Sequence, residues 1–220
     1  MEESEKELKE KLQKQIKQLI QAKRPIVLTT YTFPFKMEVY MEQVLTVFLE
    51  IMQQDSITDY VVYFVKELVG NAKKANAKRV YFKEKNLDIQ SECDYERGMK
   101  SFKSEIFGNK KHYLALQEKE GLYIRLKLWK ENNVIKIEVS NNVLITAYEE
   151  KRMLDKLEMG KQYSSLEDAL TQAVDDSEGG GLGLIILVLM MKKMGVNREQ
   201  IWIQKTESET KIGVEIPIKP

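Results

Sequence analysis

Four of the five positions from Gly179 to Gly183 are glycine, and the apolar run Leu184-Ile185-Ile186-Leu187-Val188-Leu189-Met190-Met191 follows at once. Glycines let a backbone turn sharply and let another molecule come close to its N–H groups. A helix that starts where they end carries unpaired N–H groups and the positive end of its dipole in the first turn. Together these features predict an anion site, usually for phosphate, over Gly179, Gly180, Gly181, Leu182 and Gly183. A hinge ahead of a core helix is the plainer reading of the same residues.

The rest of the composition narrows the class. With 35 basic and 34 acidic side chains the net charge is +1, so no electrostatic case exists for nucleic acid as the partner. A single cysteine, Cys93, excludes an intrachain disulfide and a cysteine-rich metal site. The run from Leu182 to Met191 is about half the ~20 residues that span a bilayer, so no membrane partner is expected. Met1-Glu2-Glu3-Ser4-Glu5 lacks the character of a signal peptide, and the reading is a cytoplasmic protein.

Along the chain, hydrophobic spacing predicts the elements. Residues 2–23 form a charged helix with Leu8, Leu12, Ile16 and Leu19 in a narrow stripe, either packed on its own domain or serving as a short homodimer arm. Ile26 to Tyr31 reads as a strand and Lys36 to Gln53 as a helix. Asp55 and Ser56 cap a second helix running to about Ala75. Arg79 to Lys83 reads as a short strand, and residues 84–121 as an insertion with short helices near Glu96–Phe107 and His112–Gln117. Tyr123 to Trp129 and Val134 to Val139 alternate as a hairpin around Asn132-Asn133. Thr146-Ala147-Tyr148-Glu149 is a capping box opening a helix to about Met159. Two strands, Ile201–Lys205 and Lys211–Ile216, close the chain. The expected fold is α+β: a two-layer α/β sandwich with a mixed, mostly antiparallel sheet covered by helices on one face.

The helix before residue 75 carries a second constellation. Val61, Val65, Leu68, Ala72 and Ala75 make one apolar stripe, and Glu67, Asn71 and Lys74 make another at i, i+4, i+7. At about 100° per residue the two stripes lie roughly 110° apart. An acid, an amide and an ammonium thus line the flank of a buried helix. Oxygen ligands suit Mg²⁺, a carboxylate polarises an attacking group, and an ammonium meets phosphate. A solvated helix face is the bland alternative.

Glu67-x-x-x-Asn71-Ala72-x-Lys74, a strand pair, and then Gly179-Gly180-Gly181-Leu182-Gly183-Leu184 resemble, in that order, the ATP-binding domain of the GHKL superfamily, most closely the catalytic domain of histidine kinases. The closing Trp202-Ile203 and Gly213-Val214-Glu215-Ile216-Pro217-Ile218 are similar to that family's last two strands. The resemblance covers residues 25–220, with a lid at about 143–178, and leaves 1–24 as the N-terminal helix. It implies ATP and Mg²⁺ as cofactors. Asn71 would hold the metal, with Glu67 supporting it or activating the attacking group. Lys74 would contact phosphate, and Gly179, Gly180, Gly181, Leu182 and Gly183 would form the phosphate turn.

The chain departs from the family at one motif. Where an Asp-x-Gly-x-Gly is expected it reads Asn141-Asn142-Val143-Leu144-Ile145. An amide carbonyl still accepts from the adenine amine, without a carboxylate's charge. Its single histidine, His112, reads as an ordinary surface residue, so self-phosphorylation is not expected. The resemblance therefore implies an ATPase or kinase-like signal-transduction component acting on a separate protein partner. Two alternatives stand beside it: a degenerate module working by protein contact, and a protein-serine kinase of the anti-sigma type.

Overall fold

The computed structural model describes residues 2–165, 167–169 and 182–219. Helix α1 (Glu2–Gln21) leads into strand β1 (Ile26–Thr30), then α2 (Phe35–Ile51) and the long α3 (Thr58–Glu84). Helices α4 (Glu92–Gly108) and α5 (Lys110–Lys119) precede the hairpin β2 (Ile124–Glu131) and β3 (Val134–Asn141). Helix α6 (Ala147–Gln162), helix α7 (Leu182–Met194) and strands β4 (Ile201–Lys205) and β5 (Thr210–Pro217) complete the fold.

The five strands form one sheet in the order β1-β2-β3-β5-β4, and every pairing is antiparallel. The expected mixed sheet is thus wholly antiparallel among the described residues. Side chains alternate across it. Ile124, Leu126, Leu128, Ile135, Ile137, Val139, Ile212, Val214 and Ile216 are buried on one face. Helices α2, α3 and α7 join them in one core through Phe48, Phe64, Leu68 and Leu187. The opposite face carries ion pairs such as Lys136 with Glu215 at 3.1 Å. This is a two-layer α/β sandwich with helices on one face. Leu12 and Ile16 of α1 are buried on α2 in the same chain, while Leu8 stays exposed.

One element differs from expectation. Arg79 to Lys83 is not a strand but the last part of α3. β-branched and aromatic residues favour strands locally, yet no glycine or proline interrupts the helix after Ala75, and packing decides. Ala77, Val80, Tyr81 and Phe82 form a second core with Tyr95, Phe102 and Tyr113 from α4 and α5. The helix ends only at Asn86, whose φ of 53° is the left-handed turn that closes a Schellman motif. The Leu87 N–H then donates to Phe82 O at 2.9 Å. The 84–121 region is therefore a helical pair built on the end of α3. Gly98 permits its closest approach, since a Cβ there would lie 2.7 Å from Phe82 Cζ.

Candidate functional site

A cleft of about 220 Å³ opens between α3, α6, the start of α7 and the ends of β3 and β5. From α3 it takes Glu67, Asn71, Lys74 and Lys78. Spaced i, i+4, i+7 and i+11, these residues fall within about 60° of one another around the helix. Leu68 and Ala72 beside them enter the core and so fix the stripe's direction. From α6 come Glu149, Arg152, Met153 and Lys156, again one helical face. Asn141 at the end of β3, Val143 and Ile145 after it, Thr210 and Gly183 complete the wall.

The cleft thus brings together Glu67, Asn71, Lys74, Asn141 and Gly183 from separate parts of the chain. Gly179, Gly180 and Gly181 lie outside the described residues, as do residues 166 and 170–178 of the expected lid. Leu182 does not line the cleft; it opens α7 and packs with Tyr163, Ala169 and Ile185. His112 stands apart on α5, its ring 2.5 Å from Glu84 on the surface.

Glu67 and Gly183 fit each other. A Cβ at position 183 would lie 2.3 Å from the Glu67 carboxyl carbon and 2.4 Å from both oxygens. The carboxylate therefore rests against the first turn of α7, where the helix dipole favours negative charge. Asn71 Nδ2 donates to Glu67 Oε1 at 3.3 Å, which sets the amide with Oδ1 as its remaining acceptor. A carboxylate and an amide oxygen side by side are hard ligands of the kind Mg²⁺ takes when a phosphate supplies the rest of its shell. Among the described residues no group of three His, Cys, Asp or Glu side chains is placed to hold a metal ion.

Asn141 is set by a directed chain of hydrogen bonds. Asn76, fully buried on α3, donates through Nδ2 to the Tyr123 carbonyl at 3.3 Å. Its Oδ1 must then accept, and Asn141 Nδ2 donates to it at 2.9 Å. The Asn141 Oδ1 accepts no hydrogen bond among the described residues and belongs to a side chain that lines the cleft. The base of the cleft is thus biased toward accepting from a donor such as an exocyclic amine.

The loop after Asn141 does not need the missing glycines. Neither Val143 nor Ile145 is among the positive-φ residues. Thr210 holds the loop instead: its hydroxyl donates to Val143 O and accepts from Ile145 N–H, each at 2.8 Å. Asn142 ties the same corner to the start of β2, accepting from Tyr123 N–H at 2.7 Å and donating to Gly121 O at 3.0 Å. Thr210→Val keeps the shape but strips a buried carbonyl and a part-buried N–H of their partner. A buried group left unsatisfied costs about 1–3 kcal/mol and a part-buried one less, so a loss of about 2–4 kcal/mol in urea unfolding is expected. Unchanged stability would show that the loop is held otherwise.

Sequence reasoning missed Lys78, Arg79 and their anchor, because their partner lies on another helix. Arg79 meets Glu149 with both terminal guanidinium nitrogens, at 3.2 and 2.7 Å, and also donates to Leu144 O at 2.5 Å. Lys78 is buried and donates to Tyr95 Oη at 2.8 Å and Glu149 Oε1 at 3.4 Å. Glu149 also closes the capping box of α6, accepting from Thr146 N–H at 3.0 Å. Burial alone would raise its pKa; the hydrogen bond and charge of Arg79, with Lys78 beside it, outweigh that and bring it down to about 2. The capping box was legible in sequence, whereas the clamp it makes with α3 was not.

The cleft carries the cations Lys74, Lys78, Arg152 and Lys156 against the acids Glu67 and Glu149, so its lining suits a polyanion. No family model matches the chain, and no solved structure does. The chain is similar to an uncharacterized protein of Treponema pallidum (strain Nichols), 44% identical over 202 residues that cover 92% of this chain and 39% of that protein. The chain thus spans well under half the length of that relative. Among the described residues no helix is long and apolar enough to cross a membrane.

Proposed function

We propose that the chain is a cytoplasmic, GHKL-type nucleotide-binding protein. It takes ATP with Mg²⁺ in the α3–α6 cleft and hydrolyses it or passes its γ-phosphoryl group to a separate protein partner. The single observation that carries this reading is the meeting of Glu67, Asn71 and Gly183, which are 116 residues apart at their extremes in sequence, at one helix start. When bound, Mg²⁺ would supply positive charge against the negative charge of the phosphates. Asn71 Oδ1 and the Glu67 carboxylate would hold it or orient the attacking hydroxyl. Lys74, which makes no ion pair among the described residues, would meet phosphate, and Asn141 Oδ1 would accept from the adenine amine. The surface position of His112 favours an acceptor on another protein over an internal one.

Two results bear on this directly. ATP and ADP at millimolar concentration with Mg²⁺ are expected to raise the melting temperature, because a ligand that binds only the folded state stabilises it by mass action. GTP is expected to do so less, since its ring presents a carbonyl oxygen to Asn141 Oδ1 where adenine presents an amine. Equal shifts for ATP and GTP would remove Asn141 from the base site.

The second concerns position 183. In Gly183→Ala the new methyl meets the end of a flexible side chain, so the fold is expected to persist while the Glu67 carboxylate is displaced. Turnover should then fall with little change in melting temperature. Full activity in this variant would separate Glu67 from the chemistry.

A further inference from the structure

Beside the nucleotide cleft runs a larger groove between α4, α5, residues 73–78 of α3 and the start of α6. Its apolar lining includes Met99, Phe102, Ile106 and Phe107 from α4, Leu114 from α5 and Tyr148 from α6. Phe107 is 73% exposed and Tyr148 49%, large apolar side chains left uncovered at its edges. The groove follows α4 from Tyr95 to Phe107, about 18 Å at ~1.5 Å per residue.

Its lining is dominated by one sign of charge. Seven lysines and arginines stand against one acid, Glu96, and of the seven Lys73 pairs with Glu38 and the buried Lys78 with Glu149. Lys74, Lys100, Lys103 and Lys110 make no ion pair among the described residues. These cations come from three helices: Lys74 from α3, Lys100 and Lys103 a turn apart on α4, and Lys110 at the start of α5. A fatty acid, with one anionic head, would call for cations gathered at one end. Distributed lysines around an apolar floor match a helix with apolar residues on one face and acids flanking them.

We propose that this groove docks an acidic amphipathic helix of a protein partner and thereby presents that partner to the nucleotide cleft. The two cavities share Lys74, Lys78 and Arg152, so a helix in the groove ends beside whatever occupies the cleft. In naming the groove's purpose this inference rests on the proposed function; the docking itself does not.

The test uses the full chain without nucleotide, so that its failure is separate from any failure of ATP binding. The probe is a fluorescein-labelled 18-residue peptide of Glu, Ala and Leu, with Leu at i, i+3, i+4 and i+7. Its control has the same composition with the stripe scrambled. Fluorescence anisotropy is expected to show micromolar binding of the striped peptide and at least about tenfold weaker binding of the control. Lys100→Glu with Lys103→Glu, both exposed and outside the nucleotide cleft, should weaken the striped peptide by at least about tenfold, as charge reversal at a complementary surface does. Phe107→Ser should weaken it independently. Equal binding of the two peptides, or binding unmoved by the double charge reversal, overturns the proposal. So does displacement of the peptide by stoichiometric hexadecanoate, which would make the groove a lipid site. A concentration-dependent dimer that Phe107→Ser dissolves would assign it to a second copy and overturn it as well.

Discussion

Glu67→Gln is expected to lower ATP turnover, with partner present where one is required, by at least about 100-fold and to leave nucleotide affinity nearly unchanged. A positioned general base contributes about 10²- to 10⁴-fold. The amide keeps the shape beside Gly183 but cannot take a proton. It still offers one oxygen to Asn71 Nδ2, so the local hydrogen bond survives. Steady-state phosphate release and equilibrium binding, measured on the same preparation, separate the two effects. A variant as active as the parent would assign the carboxylate a purely structural role against α7.

The largest effect on stability is expected from Glu149→Gln. Lys78 is buried and Arg79 nearly so, and Glu149 is the carboxylate that faces both. Removing one partner of a buried pair costs about 3–5 kcal/mol, because the remaining charge stays uncompensated. For a chain of this size that is roughly 6–20 °C in melting temperature. The pH dependence identifies the cause. Glu149 ionises near 4.5 when unconstrained and at about 2 in the fold. Its folded pKa is the lower one, so the stabilisation is complete above about pH 4.5 and is lost as pH falls toward 2. At about 1.4 kcal/mol per pH unit the difference is on the order of 3 kcal/mol, in line with the mutational figure. The gap between parent and variant should therefore close across that window. A gap that stays constant with pH would mean that packing, not charge, holds α6 to α3.

Much of this fold was legible in local patterns. The 2-residue alternation of β2 and β3, the Asn132 turn and the Thr146 capping box are all set by neighbours in sequence, and the structure has them where the patterns lie. The stripe of Glu67, Asn71 and Lys74 was legible for the same reason. Residues 79–83 were not, because their β propensity is local while the packing of Tyr81 and Phe82 on α4 and α5 is not. The loss of the glycines at Val143 and Ile145 looked like damage from sequence alone. The compensating hydroxyl sits at Thr210, on a strand paired to β3, and only the register of Asn141 opposite Thr210 reveals it. Asn141 itself is similar. An acid there would suit an amine, yet its carboxylate would face the Asn76 oxygen that now accepts from the amide. The asparagine is therefore matched to Asn76, a partner 65 positions away.

The most direct measurement is a calorimetric titration of ATP into the chain, with millimolar Mg²⁺ and again with EDTA, repeated for Asn71→Ala. Binding is expected in the presence of the metal, weakened by at least about tenfold in its absence, and Asn71→Ala should lose the metal dependence because the amide oxygen is one of the two hard ligands proposed on α3. Heat that is absent under every condition would contradict the account. Equal affinity with Mg²⁺ and EDTA would contradict the role given to Glu67 and Asn71.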